Sequence, residues 1–329
     1  MSMQLVTQHA PGGADTLEIT FAEKPQPAPG QLRVRVLAAG INRADIVQRE
    51  GHYPPPKGAS PVLGLEIAGI VDAVNGPSRF QEGDAVFGLV SGGGYAEYAL
   101  IDSSAALPKP DLMSWAEAAS LPEAWMTAWF NLVDIAAVQP GETVLIHAGA
   151  SGVGAAAIQL ASLLGARVIA SAGSDDKRAY CRSLGAEVVI DSRQPGFAAN
   201  LKAQGGVDVV LDPVGAALFD DNIAVLKPDG RLVVIGIMGG SSATLNLGLL
   251  LVKRLRLLGS TLRSQPEAVK ARLAAALEAE VLPALADGRA RVTLDSVYPL
   301  VAVADAHRYV EDNRNLGKVV LSLLPVITP

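Results

Sequence analysis

The sequence predicts an α/β protein in which an irregular, β-rich segment precedes a doubly wound parallel sheet, and three observations carry that expectation. Short apolar runs punctuated by turn signals crowd residues 1 to 120. From about Leu121 onward, strand-like runs alternate strictly with helical stretches. The first strand of that series runs into a glycine-rich turn and an alanine-rich helix, ETVLIHAGASGVGAAAIQLASLLG, residues 142 to 165.

Composition limits the function classes. At 329 residues the chain is long enough for two domains and a large core. Half of it is apolar, yet it has no run of about 18 uncharged apolar residues, so no membrane span is expected. The N-terminus, MSMQLVTQHAPGGADT, has no basic segment leading into an apolar one, which argues against secretion and for a cytoplasmic protein. Cys181 is the single cysteine, so an intrachain disulfide and a cysteine-built zinc lobe are both excluded. A net charge of −6 without any dense Lys/Arg run makes nucleic acid an unexpected partner.

In the first segment the apolar runs at 32–40, 64–74 and 83–90 read as strands, separated by turns such as PQPAPG at 25–30 and YPPP at 53–56. This pattern suggests a compact, irregular barrel or sandwich. Six strand-like runs follow at 143–148, 167–171, 187–190, 207–211, 231–236 and 255–259, and Gly165, Gly185, Gly205 and Gly230 stand where helices stop or turns begin. Six are what a full dinucleotide-binding sheet requires, with the ligand across their carboxyl ends. Residues 266–288 are good helix formers ending at Gly288; a strand, a helix from about Val303 and a last strand complete the chain and are expected to return to the first domain. The expected boundaries are 1–123, 124–263 and 264–329.

The glycine turn suits a pyrophosphate. Gly149, Gly152 and Gly154 let the backbone turn tightly and approach phosphates, whose charge then meets the first N–H groups of the helix, around Gly152 and Val153. In G-x-G-x-x-G register the first and third glycines are Gly149 and Gly154, while Ser151 stands at the second. A plain turn between buried elements is the competing reading; the strand before and the helix after favour the phosphate seat. An NAD site generally needs a carboxylate at the end of the second strand, and Ala172 stands there instead. Gly173 and Ser174 offer donors, with Lys177 and Arg193 as nearby cations, a set that suits the 2′-phosphate of NADPH. Asp175 and Asp176 read as helix caps, and Lys177 taken alone is an ordinary solvated lysine.

No metal is expected. His9, His52, His147 and His307 are scattered without ligand spacing. Hydrolysis is not supported either, because Ser151 lacks a G-x-S-x-G frame and no G-x-x-x-x-G-K-[ST] loop exists.

Several motifs in one order are more specific than any of these. AAGINRADIVQREGHYPPP (38–56), VLGLEIAGIV (62–71), GGGYAEYAL (92–100), SLPEAWMTAWFNL (120–132), HAGASGVGAAAIQLA (147–161) and LGKVVL (316–321) together resemble the medium-chain dehydrogenase/reductase superfamily, most closely its zinc-free, zeta-crystallin-like quinone oxidoreductase branch. Zinc-dependent members carry a cysteine where this chain has Asn42 and a histidine where it has Leu65, beside the glutamate matched by Glu66. The resemblance implies a GroES-like irregular β domain joined to a Rossmann domain with a six-stranded parallel sheet. It also implies that Asn42, Asp45 and Tyr53 line the substrate side of the active cleft, Asn42 and Tyr53 donating to a quinone carbonyl. Against this, Tyr53 reads equally as a turn aromatic packed on prolines, Asn42 as a loop-fixing residue and Asp45 as a cap. Val47 and Ser192 stand where the branch often has tyrosines. On the cofactor side the resemblance implies Thr127, the backbone at Ile237, Met238 and Gly239, and Asn315 with Lys318. The function implied is hydride transfer from NADPH to quinones. Reduction of an enone, 2-alkenal or enoyl thioester is the alternative, and an NADPH-binding protein with little turnover is a reading of another class. The apolar stretch 245–261 beside the last strand suggests a homodimer through the sheet edge.

Overall fold

The computed structural model describes residues 2–194 and 196–324. The chain forms two compact units: residues 1–126 with 263–329, and residues 127–262.

In the first unit, β1 (Ser2–Gln8) and β2 (Leu17–Glu23) form an antiparallel pair. The larger sheet uses β3 (Gln31–Ile41), β4 (Glu66–Val74), β5 (Ala85–Leu89), β6 (Tyr98–Asp102) and β7 (Ala106–Pro108). β3 organises it. Its first half alternates buried residues with partly buried or exposed ones, as a strand with one wetter face does, and its second half, from Val36, is buried on both faces. β4 and β6 both pair with β3. Val34, Ile67, Val71, Val86, Tyr95 and Ile101 fill the core beneath it.

The second unit is a sheet of six strands: β8 (Thr143–Ile146), β9 (Arg167–Ala172), β10 (Val188–Asp191), β11 (Val207–Asp212), β12 (Leu226–Val234) and β13 (Arg256–Gly259). Their order is β10-β9-β8-β11-β12-β13, all parallel, so the direction of winding reverses between β8 and β11. A ligand crevice opens at such a reversal, and the glycine turn lies there, at the carboxyl end of β8. β8 is buried throughout because helices cover both faces. Ala155, Ala156 and Ala157 are completely buried in the helix Gly152–Leu163, and their small side chains bring that helix close to the sheet. All six expected strands are present. β12 starts earlier than its apolar run because Leu226 pairs with Val207 before a bulge moves the register to Arg231 opposite Val209.

Two further strands, β14 (Leu294–Pro299) and β15 (Lys318–Ser322), belong to the first unit, whose larger sheet runs β14-β15-β3-β4-β5-β7. β15 is antiparallel to β3 with Val319 opposite Ile41. Carried one residue further, that register sets Lys318 beside Asn42. The helical stretch expected at 266–288 is interrupted: Glu267–Ala276 and Leu282–Ala286 flank a π-helical turn at Leu277–Val281. No described helix is long and apolar enough to cross a membrane.

Candidate functional site

The glycine turn of the second unit is shaped by close packing. Ala148 is left-handed (φ 49°), an uncommon conformation for a residue with a Cβ. A Cβ on Gly149 would lie 2.9 Å from Cys181 Sγ, and one on Gly154 would lie 2.3 Å from Ala148 O. Both glycines are therefore required for the helix to seat on the turn. Ser151 has a different part: it is the N-cap, its Oγ accepting from Gly154 N–H at 3.1 Å. The helix's hydrogen bonding begins with Ala155 N–H to Ser151 O, so the amides of Gly152 and Val153 precede it and are free to meet an anion at the helix's positive end. Burial pushes the Cys181 thiol up to about 11, and it packs behind the turn as an inert group.

At the end of β9, Ala172 is buried and presents no carboxylate. A Cβ on Gly173 would meet Arg193 Nε at 3.5 Å, so the exposed guanidinium lies beside that glycine. Ser174 caps the next helix, accepting from Lys177 N–H at 3.3 Å. The capping expected of Asp175 and Asp176 is thus corrected: both sit in the first turn, where the helix dipole favours acids, and Asp175 pairs with Arg178 at 2.6 Å. Gly173, Ser174 and Arg193 come together, with Lys177 one turn along. After β12, Ile237 and Met238 are exposed, and Gly239 N–H donates to Val214 O at 2.7 Å. A Cβ on Gly239 would lie 2.7 Å from that of Ala217. Thr127 opens this unit, its carbonyl accepting from Asn131 Nδ2 at 2.8 Å.

The first unit holds a buried polar cluster. Lys318 Nζ donates to Ile41 O at 2.9 Å and Asn42 Oδ1 at 2.5 Å and pairs with Glu66 Oε1 at 2.5 Å. Asn42 Nδ2 donates to Glu66 Oε1 at 2.9 Å, and Glu123 N–H donates to Glu66 Oε2 at 2.8 Å. This corrects the role expected for Lys318: its ammonium protons are occupied within the unit instead of being presented to a cofactor. Asn315 Nδ2 turns back to Gly317 O at 2.7 Å. Asp45 is corrected in the same sense. It is fully buried, not cleft-lining; it forms the capping box with Asn42 and accepts from Asn42 N–H (2.8 Å), Gly64 N–H (3.0 Å) and Tyr95 OH (3.1 Å). Burial pushes its carboxyl up to about 6 against those donors. Tyr53 is half-buried, with the Arg263 guanidinium 5.6 Å from its ring centre, and burial raises its pKa.

Sequence reading missed Glu123. Burial and then the neighbouring Glu66 carboxylate push its carboxyl up to about 8. Only its place in the first helical turn after Pro122 was visible beforehand. Also missed was the chain behind Asp45, in which Arg49 NH1 donates to His307 Nδ1 (3.2 Å) and His307 Nε2 meets Tyr95 OH (3.2 Å). An arginine can only donate, so Nδ1 accepts, Nε2–H donates, and the tyrosine proton goes to Asp45. A cleft of about 440 Å³ in this unit is lined by Ser91, Gly92, Arg263 and Lys270 among others, and none of Asn42, Asp45 and Tyr53 lines it.

Two family models match the chain: an alcohol dehydrogenase GroES-like domain over residues 28–111, and a zinc-binding dehydrogenase over residues 152–279. Quinone oxidoreductase-like protein 2 of Bos taurus is 36% identical over 309 residues, covering 91% of this chain and 87% of that protein. A mycocerosic acid synthase-like polyketide synthase of Mycobacterium tuberculosis is 35% identical over 332 residues and 98% of this chain, which spans only 15% of the synthase. Among solved structures, mycobacterial Rv1454c complexed with NADPH is 30% identical with a TM-score of 0.88, covering 97% of this chain and 99% of that one. CurK enoyl reductase is also 30% identical, with a TM-score of 0.85 over 98% of this chain and 99% of its own.

The zinc implied by the second family model does not fit these residues. At the three matching positions stand an amide, a leucine and a carboxylate, and Asn42 and Glu66 are already bonded to the Lys318 ammonium. A fixed cation 2.5 Å from Glu66 Oε1 repels a second one. Among the described residues no group of three His, Cys, Asp or Glu side chains is placed to hold a metal.

Proposed function

Because the chain belongs to the medium-chain dehydrogenase/reductase superfamily, in its quinone oxidoreductase-like branch, we propose that this oxidoreductase is metal-free, uses NADPH and reduces quinones. The end of β9 carries the cofactor reading. A ribose 2′-OH calls for a carboxylate there, whereas Ala172 is apolar and Gly173, Ser174 and Arg193 supply donors and a cation that suit a 2′-phosphate. The amides of Gly152 and Val153 hold the pyrophosphate at the helix start. When bound, the cofactor supplies the hydride. Asn42 and Tyr53 then orient the acceptor, and Lys318 holds Asn42 in place by its bond to Oδ1. The quinone assignment rests on the quinone oxidoreductase-like relative; the likeness to an enoyl reductase supports an activated C=C bond as the second reading. A homodimer through the β13 edge belongs to the same proposal.

Oxidation of NADPH and of NADH, each followed with benzoquinones, naphthoquinones and 2-alkenals, tests both choices. We expect quinone turnover with a clear preference for NADPH. Rapid alkenal turnover without quinone activity would select the second reading, and saturable NADPH fluorescence with no accepted substrate would make this a cofactor-binding protein.

A further inference from the structure

Four polar side chains form a line at the carboxyl end of the parallel sheet, and the proposed function uses none of them. Ser171, His147, Asn222 and Asp212 are all at most 1% exposed. His147 Nδ1 lies 2.8 Å from Ser171 Oγ, His147 Nε2 lies 2.7 Å from Asn222 Oδ1, and Asn222 Nδ2 donates to Asp212 Oδ2 at 3.0 Å. Since Asn222 gives its amide protons toward Asp212, its oxygen must accept from His147 Nε2–H, and Nδ1 accepts from the serine hydroxyl. Each donor has one acceptor, and the imidazole is neutral; burial lowers its pKa in agreement with that state. Asp212 ends the line on the backbone, Oδ1 accepting from Val214 N–H (2.7 Å) and Gly215 N–H (3.1 Å).

The line begins and ends at the loops assigned to the cofactor. Ala148 and the glycine turn follow His147 directly. Ala172, Gly173 and Ser174 follow Ser171, whose carbonyl also accepts from Gly149 N–H at 2.9 Å. Val214 and Ala216, on either side of Gly215, in turn bond to the loop after β12, through Gly239 N–H to Val214 O (2.7 Å) and Ala216 N–H to Gly240 O (3.0 Å). Filling these positions with apolar side chains would bury no polar atoms and would serve packing alone at less cost. What the polar line adds is direction: it fixes the ends of β8, β9 and β11 at set separations.

We propose that His147 is the positioning residue that holds the 2′-phosphate, pyrophosphate and nicotinamide seats at the spacing of one dinucleotide. This rests on the reading of the second unit as an NADPH site. The affinity gained by joining two halves of a ligand depends on that spacing, whereas the affinity of one half does not. The two are separable by experiment. Dissociation constants for NADPH and for 2′,5′-ADP, which fills only the adenosine half, are measured on the full chain for wild type, His147→Leu, His147→Gln and Ser171→Ala. For His147→Leu, the loss of a buried hydrogen bond is expected to raise the NADPH constant about tenfold while leaving that of 2′,5′-ADP within about threefold. His147→Gln, whose amide can still donate to Asn222 Oδ1, recovers part of the loss. If His147→Leu does not fold, Ser171→Ala decides, because it deletes one hydroxyl and no packing: it must weaken NADPH more than 2′,5′-ADP. Equal weakening of both ligands, or a fall in melting temperature with NADPH affinity unchanged, overturns the proposal while leaving the NADPH site standing. Wild-type protein that binds neither ligand overturns both.

Discussion

At the scale of single residues, the first unit turns on two buried charges. Glu66 is completely buried and its compensation is the Lys318 ammonium, with Asn42 Nδ2 and Glu123 N–H completing its shell. Lys318→Met leaves that carboxylate without its cation and is expected to destabilise the unit by about 3–5 kcal/mol, read from denaturant unfolding. Adding Glu66→Gln removes the orphaned charge and restores much of the loss; a single variant as stable as wild type would show that the pair does not matter. Glu123 gives a second prediction, in pH. Its folded pKa lies near 8 against an ordinary 4.5, so between those values the folded chain keeps a proton that the unfolded chain releases. Stability from this group is full below about pH 4.5 and falls as pH rises toward about 8. Glu123→Gln should flatten that part of a plot of melting temperature against pH, and an unchanged slope would assign the fall to another group.

At the scale of elements, the parallel sheet was legible because its central strands β8, β9 and β11 are largely buried on both faces and read as mostly apolar runs. The site was legible wherever backbone geometry dictates residue type, as at Gly149 and Gly154, where a Cβ has no room. It was illegible wherever function depends on residues distant in sequence. Nothing local to LGKVVL says that Lys318 faces Asn42; the antiparallel register of β15 on β3 decides it. Ser151 lies between these cases. As a departure from a glycine motif it was ambiguous, and as the N-cap of the helix Gly152–Leu163 it has a measurable job. Ser151→Ala is expected to cost about 1 kcal/mol of stability and Ser151→Gly only a few tenths. If the hydroxyl also serves the cofactor, both variants raise the Michaelis constant for NADPH; if only Ala lowers stability and neither moves that constant, capping is its whole role.

At the scale of the whole molecule, the unanswered feature is an open edge. β13 is the last strand of its sheet, and a strand with unpaired N–H and C=O groups is a template for another strand. The short helix before it, Leu247–Lys253, has no buried residue; Leu247, Leu251 and Val252 are each more than two-thirds exposed, and Leu249 is 38% exposed. Apolar groups clustered beside an open edge are costly to leave in water, and a second copy meeting the first about a twofold axis would cover both at once. The proposed assembly is therefore a dimer of two 34.0 kDa chains, which sedimentation should report for wild type. Leu251→Glu places a carboxylate in that face and, by symmetry, introduces it twice. It should shift the protein to monomer while leaving NADPH affinity intact, because the glycine turn and the end of β9 lie on other strands of the sheet. A monomeric wild type would refute the dimer, and a dimer that survives Leu251→Glu would move the interface away from this face.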